Sequence, residues 1–548
     1  MKRILSFILC AIVVISSASC SKDKSSSSTT PTNADGSEVS TTAKSNNGKT
    51  LSLYFSYSDS LDPYKAESSG NKAICALLFD PLVKLDNDFN AQNRIASEVN
   101  LDGKTITVTL GTHNFSDGSL ITADDVIYSI KRCKSAKKGD FVGQLENVES
   151  YKAENGKVVI TLKRYDKNAV NLLDFPILKK NTHNKTNKDG KHIPPIGSGR
   201  YVFVDNKGNY SLKGNENYYS GKPICDITLN NSPDYEATEY LIRSSSIDVY
   251  YSGFDNKEMP TLSGKSGSVN LTNLVYLGIN QQRAFLGDSN VRCALSYAVD
   301  RADIAEKCYY SLAVPALSLY HSKNKNIENK DNIFYSEDNS LQAVEMLKKS
   351  GYNQLNNEGY YKNKDGNIIT LTLLYNKDNN TQSMAASLLA KNIKACGINI
   401  VLDKASASEY KSRVNNGDYD IYLAELRLTK SFDYSVLLSF PKNVPYNYEP
   451  KEKEDTEETI EEVEQTKQEQ EPKKNNDKDN NIDFNKIYEQ YLKGEKSVDE
   501  MLDSFVEAMP FVPIAFRLGT VNYSDKFSTD LISTAGDPYY NIEKISLK

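Results

Sequence analysis

Between residues 368 and 405 the sequence changes its hydrophobic period twice. Residues 368–376, IITLTLLYN, are rich in β-branched and leucine side chains; 384–397, MAASLLAKNIKACG, form a helical pattern; 398–405, INIVLDKA, return to a strand pattern. A strand, a helix and a strand in that order bury their apolar faces against one another, so the chain is expected to be a mixed α/β protein. The same alternation recurs elsewhere. Strands are predicted at 50–58, 105–110, 157–164 and 274–280, and helices at 73–85, 290–310 and 340–352, with Asp300 capping a second helix inside 290–310.

At 548 residues the chain exceeds what one core can hold, which predicts two to four domains. With 35 Tyr, 18 Phe and no Trp, any aromatic binding surface must be built from Tyr and Phe.

The first residues speak to compartment. Lys2 and Arg3 precede an apolar run at 4–15, too short for a stable membrane span but the right length for the core of a secretory signal. Small residues then lead to Cys20, in a stretch that looks like a bacterial lipobox with Ser17 in place of the usual Leu. Residues 1–19 are read as the signal peptide and Cys20 as a lipidated anchor; cleavage nearby without lipidation is the alternative. Residues 20–49 then form a polar tether, with Val39 as the one large apolar side chain after Cys20, unable to offset its chain entropy by burial.

The formal charge of −6 is concentrated in one place. Residues 449–481 hold thirteen Asp or Glu and six Lys, a balance of −7, so the remainder sums to +1. The body is nearly neutral and offers no basic field for nucleic acid. The acidic stretch, bounded at 446–483, has almost no apolar side chains and is read as a solvated insert, with a docking tail for a basic partner as the alternative.

Residues 113–132, HNFSDGSLITADDVIYSIKR, test for a metal loop. Aligning Gly118 with the glycine of a calcium loop puts His113 and Phe115 where oxygen ligands belong, so the loop fails. A turn at Ser116-Asp117-Gly118 followed by Thr122 as N-cap with Asp125 as its capping-box partner accounts for the acids instead. Cys75, Cys133, Cys225, Cys293, Cys308 and Cys396 form no C-x-x-C pair, which argues against zinc; isolated buried thiols are the simpler reading, with disulfides among them left open. There is no G-x-S-x-G or H-E-x-x-H, and His113, His183, His192 and His321 are scattered, so hydrolytic chemistry finds no machinery. No cofactor and no enzymatic activity are expected.

Four stretches carry a resemblance: FSDGSLITADDVIYSIKR, VRCALSYAVDRADIAEK, INIVLDKASASEYKSRVNNGDYDIYLAELR and FVEAMPFVPIAF. In this order they resemble the extracytoplasmic solute-binding proteins of ABC importers, in the peptide, dipeptide and nickel class, from about residue 50 to 548. The resemblance implies an α/β, two-lobed periplasmic-binding-protein-like fold with an extra subdomain in the first lobe. It assigns 50–75, 198–280 and 511–548 to lobe 1, 76–197 to the subdomain and 281–510 to lobe 2. It implies a monomer that captures a short peptide or similar small solute and delivers it to an ABC permease, either tethered through Cys20 at the outer face of the cytoplasmic membrane or in the periplasm or extracellular space. Asp433, in LTKSFDYSVLLSF, matches the acidic residue that pairs with a ligand amine in this family, although Phe432 stands where a small residue is usual. Arg427 is a candidate for a ligand carboxylate, and Tyr54, Tyr57, Tyr276 and Asn280 are candidates at strand ends facing the cleft. A peptide-sensing or surface interaction lipoprotein of the same fold and a nickel-chelate binder using His321 are the alternatives.

Overall fold

The structure is a computed structural model and describes residues 50–548 except 187, 189–192, 224, 254–261, 325–331, 335–337, 439–481 and 546–547. The signal, Cys20, the tether, His192 and nearly all of the acidic insert therefore lie outside the described residues.

Among the described residues there are two large apolar cores and a small third cluster of Tyr54, Ile242, Ile247, Tyr250 and Leu262. The first rests on two four-stranded sheets. In one, Leu51–Phe55 runs parallel to Ile227–Asn231, which pairs antiparallel with Asn209–Gly214 and through it with Tyr201–Asn206. In the other, Ala96–Asp102, Thr105–Leu110, Lys157–Leu162 and Val148–Glu154 lie side by side, all antiparallel. The alternation of Thr105–Leu110 has its structural counterpart in Ile106 and Val108, which are buried while their neighbours are not.

The helix Ala123–Lys134 covers this region. Its N-terminus is held as expected: Asp125 Oδ2 accepts from the Thr122 backbone N–H at 3.0 Å and from its hydroxyl at 2.7 Å. The patch at 73–85 is not one helix. Helix Ser69–Leu78 stops short of Asp80-Pro81, because proline disfavours helical backbone in the residue before it and has no N–H to continue the ladder. The chain resumes as strand Val83–Leu85.

The second core packs around a seven-stranded mixed sheet. Thr370–Asn376 and Asn399–Ala405 are parallel neighbours joined by helix Asn380–Ala395, the strand–helix–strand unit read from the sequence. Helix Arg301–Lys307 begins at Asp300, whose side chain accepts from the Asp303 N–H at 3.0 Å. All six described cysteines are buried free thiols.

Two long antiparallel strands, Gly264–Ile279 and Phe511–Ser524, belong to both cores. Val269 and Leu271 pack in the first core and Leu274–Ile279 in the second; Phe511–Phe516 pack in the second and Val521 and Tyr523 in the first. The change of core thus falls inside the strands, between 271 and 274 and between 516 and 521, whereas the lobe segments were expected to meet at 280 and 511. Their pairing slips there as well: Asn270 faces Leu518, and the next pair is Leu274 with Phe516. Such a bulge bends a strand and breaks its ladder. The buried polar side chains of the bulge are satisfied locally, Asn270 Nδ2 donating to Asn87 O at 3.1 Å, Thr272 Oγ1 to Leu428 O at 2.8 Å and Asn273 Nδ2 to Glu425 Oε1 at 3.1 Å. Two cores joined by a pair of bent strands make a two-lobed α/β molecule.

Candidate functional site between the lobes

Strand Ile421–Arg427 is buried through Glu425 and then runs out to the junction of the lobes, where residues 427–433 form a strip. Its apolar members, Leu428 and Phe432, anchor it to the second core. Its charged members face acids and bases of the first lobe. Arg427 Nη1 donates to Asp140 Oδ1 at 2.5 Å, and Lys72 reaches the same oxygen at 2.9 Å. Lys430 Nζ lies 2.9 Å from Asp174 Oδ2 and donates to the Asp174 carbonyl at 2.8 Å. Asp433 pairs with Arg164 through Oδ2, while its Oδ1 accepts from the Ser435 N–H at 3.0 Å and hydroxyl at 2.7 Å. Asn171 joins the two sides, its amide nitrogen donating to Phe89 O at 3.2 Å and to Lys430 O at 3.3 Å.

Electrostatics favour ionised groups here. Burial works against charge on Asp140, but Arg427 and Lys72 outweigh it and hold its carboxyl well below the usual carboxylate range. Beside these groups lies a cavity of about 80 Å³, lined among others by Lys72, Phe79, Asp140, Phe141, Tyr251 and Lys430. That volume suits a few water molecules, whereas ligand pockets run to about 300–1,000 Å³. The cavity as it stands is too small for a solute of peptide size.

Of the residues singled out in the sequence, Asp433 and Arg427 meet at this junction. Tyr54 lies close by: it is buried, its hydroxyl donates to the carbonyl of the cavity-lining Tyr251 at 2.5 Å, and its ring sits 5.4 Å from Tyr250. Tyr57 is partly exposed and stacks on Tyr210 at 5.4 Å. Tyr276 is fully buried in the second core, its hydroxyl 3.2 Å from that of Tyr422. Asn280 closes a turn, donating to Gly417 O at 3.0 Å and accepting from the Gln282 N–H at 3.1 Å. His321 is also buried; its Nδ1 accepts from the Lys323 N–H at 3.1 Å, and burial lowers its pKa to about 4. Lys72, Asp140, Arg164, Asn171, Asp174 and Lys430 escaped sequence reasoning. Only Lys430 carried a signal, as a neighbour of Asp433 in LTKSFDY.

Among the described residues no helix is long and apolar enough to cross a membrane, and no cluster of His, Cys, Asp and Glu could hold a metal ion. The fold matches an ABC transporter substrate-binding protein from Sinorhizobium meliloti with a TM-score of 0.65 at 18% identity, covering 91% of this chain and all of the other. In sequence, the chain is 27% identical over 378 residues to the oligopeptide-binding protein AppA of Bacillus subtilis, spanning 63% of this chain and 67% of that relative. It is also 27% identical over 248 residues to the nickel-binding protein NikA of Staphylococcus aureus, spanning 43% and 48%. The family of bacterial extracellular solute-binding proteins, family 5, matches through its middle region at residues 90–479, well over half of the chain. The chain therefore belongs to the family 5 extracellular solute-binding proteins, the extracytoplasmic, non-enzymatic components of ABC transport.

Proposed function

We propose that this protein captures a short peptide between its lobes and hands it to an ABC permease, acting as a monomer held at the outer face of the cytoplasmic membrane through a lipidated Cys20. The observation that supports a peptide is the pairing of acids and bases along the junction: Arg427 with Asp140, Lys430 with Asp174, Asp433 with Arg164. A free peptide carries an ammonium, a carboxylate and a main chain of donors and acceptors, the complement of such a surface. On this reading the ligand ammonium takes the place of Arg164 at Asp433. Arg427, released from Asp140, receives a carboxylate in a bidentate fork. Tyr54 and Tyr57 line the approach; Tyr276, buried against Tyr422, and Asn280, in the turn beside Asp420, lie toward the other end of strand Ile421–Arg427 and take no direct part. The proposed lobes follow the two cores, with 76–197 as the subdomain of the first.

The test is a thermal-shift screen of the mature protein against mixed-sequence peptides, nickel chelates and sugars. A ligand present at a hundredfold its Kd adds about 2.7 kcal/mol to folded stability. Peptides are expected to raise the Tm. A response to nickel chelate alone contradicts the peptide reading, and binding of peptide without a permease partner moves it toward sensing.

A further inference from the structure

Residues 86–90 turn between strands Val83–Leu85 and Ala91–Asn93. The turn is closed by Asp86, whose Oδ1 accepts from the N–H groups of Asp88 and Asn90 at 2.9 Å each, while the Phe89 N–H donates to Asp86 O at 3.1 Å. Phe89 has φ +61°. A short hairpin of this kind places one residue in left-handed backbone, where glycine is the unstrained choice and a bulky side chain is an outlier. Phe432, in the strip, has φ +57°.

Strain at two bulky residues persists only where surrounding contacts hold it. Phe432 is held in part by Tyr320 and Phe516 of its own core, at 6.2 and 6.3 Å, and in part by Phe89 across the lobes. The Phe89 and Phe432 rings meet edge to face with centroids 5.1 Å apart, and the Phe89 ring also lies 5.4 Å from that of His321. Phe89 is carried by a hairpin whose base, Leu82 and Val83, packs in the first core, while Leu85 and the Phe89 ring at its tip are buried in the second. Asn171, from the first lobe, donates to the carbonyls of both Phe89 and Lys430, fixing the hairpin tip and the strip together.

We infer that Phe89 is a positioning residue for solute capture: its ring, seated against Phe432 and His321, latches the lobes shut, and the contact is lost when they open. The inference rests on the reading that solute is held between the lobes. It differs from an ordinary packing role in what its removal does. Phe89→Gly relieves the left-handed backbone and deletes a contact between lobes, so it opens the molecule without unfolding either lobe. Truncating a ring inside a single rigid core instead leaves a cavity and lowers stability outright.

The experiment compares the full mature protein with Phe89→Gly and Phe89→Leu by small-angle scattering without ligand, by thermal unfolding, and by titration with a pool of mixed-sequence pentapeptides. For Phe89→Gly the expected results are a larger radius of gyration, a Tm within about 2 °C of the parent and a Kd weakened about tenfold. Phe89→Leu, which keeps apolar bulk at the tip, recovers part of the affinity. A Tm lowered by more than about 5 °C with unchanged radius and Kd overturns the latch. If the parent binds no pentapeptide, the peptide reading fails by itself, and the radius of gyration decides the latch alone.

Discussion

The strip at 427–433 and the network around Arg200 use the same kinds of ion pair, one between the lobes and one within the first. Arg200, almost wholly buried, pairs with Asp537 at 2.6 Å and Glu543 at 2.7 Å and donates to the carbonyls of Tyr539 and Tyr540. Lys84 adds Asp537 at 2.9 Å and Asp80 at 3.5 Å. Every one of these groups lies within the first lobe, and the network ties the C-terminal segment to it. Strip pairs instead join one lobe to the other, and they range from Arg427–Asp140, with 32% and 40% of the side chains exposed, to the largely buried Lys430–Asp174. An ion pair inside one rigid body contributes to folding; one between bodies that separate contributes to the choice between open and closed.

Breaking the internal network should give the largest effect. Arg200→Met strands Asp537 in a buried site and is expected to lower the unfolding free energy by about 3–5 kcal/mol in urea titrations. Peptide affinity of the folded fraction should not change. A loss of affinity at constant stability would invert the comparison.

His321 sharpens it from beneath the junction. Its pKa falls from 6.5 to about 4 on folding, chiefly through burial and secondarily through Lys323. The unfolded state therefore binds the proton more readily below pH 6.5. Stability contributed by the neutral ring is present above that pH, declines as pH falls toward 4, and levels off below it. The difference between parent and His321→Phe in urea unfolding should change by roughly 3 kcal/mol between pH 7.5 and pH 4. A pH-independent difference would remove His321 from the account.

Asp140→Asn leaves Lys72 and Arg427 facing a neutral amide. Because the pair is half exposed, the expected cost in unfolding free energy is about 1 kcal/mol or less. Calorimetry should show solute affinity changing by a larger free energy than stability does. Smallest is the pair of Asp433 with the more exposed Arg164: Arg164→Gln should alter unfolding by under about 1 kcal/mol, and its effect on Kd should fade between 50 mM and 500 mM salt.

The two regions also differ in how readily they are read from sequence. Strands such as Thr105–Leu110 and the unit from Thr370 to Ala405 declare themselves through local period and caps. The helix–strand break at Asp80-Pro81 is equally local, written in the sequence by the proline itself, but the apolar residues on either side of it read as one helical face. The strip was legible only in part. Asp433 and Arg427 stood out by residue type and by resemblance, whereas their partners Arg164 and Asp140 lie 269 and 287 positions away. Nothing in a lone Asp140 or Lys72 distinguishes it from other surface charges until the fold brings the lobes together. Phe89 was hidden for a related reason: a phenylalanine in a hairpin turn looks like an ordinary apolar residue until its backbone angle and its neighbours across the junction are known.

The central claim is that a solute with a free amine is gripped between the lobes at Asp433. Calorimetric titration of one binding peptide, with its N-terminus free and then acetylated, into the parent and Asp433→Ala tests it most directly. If Asp433 binds the ligand ammonium, the substitution weakens the free peptide at least tenfold more than the acetylated one. Equal weakening of both, or none, would contradict it.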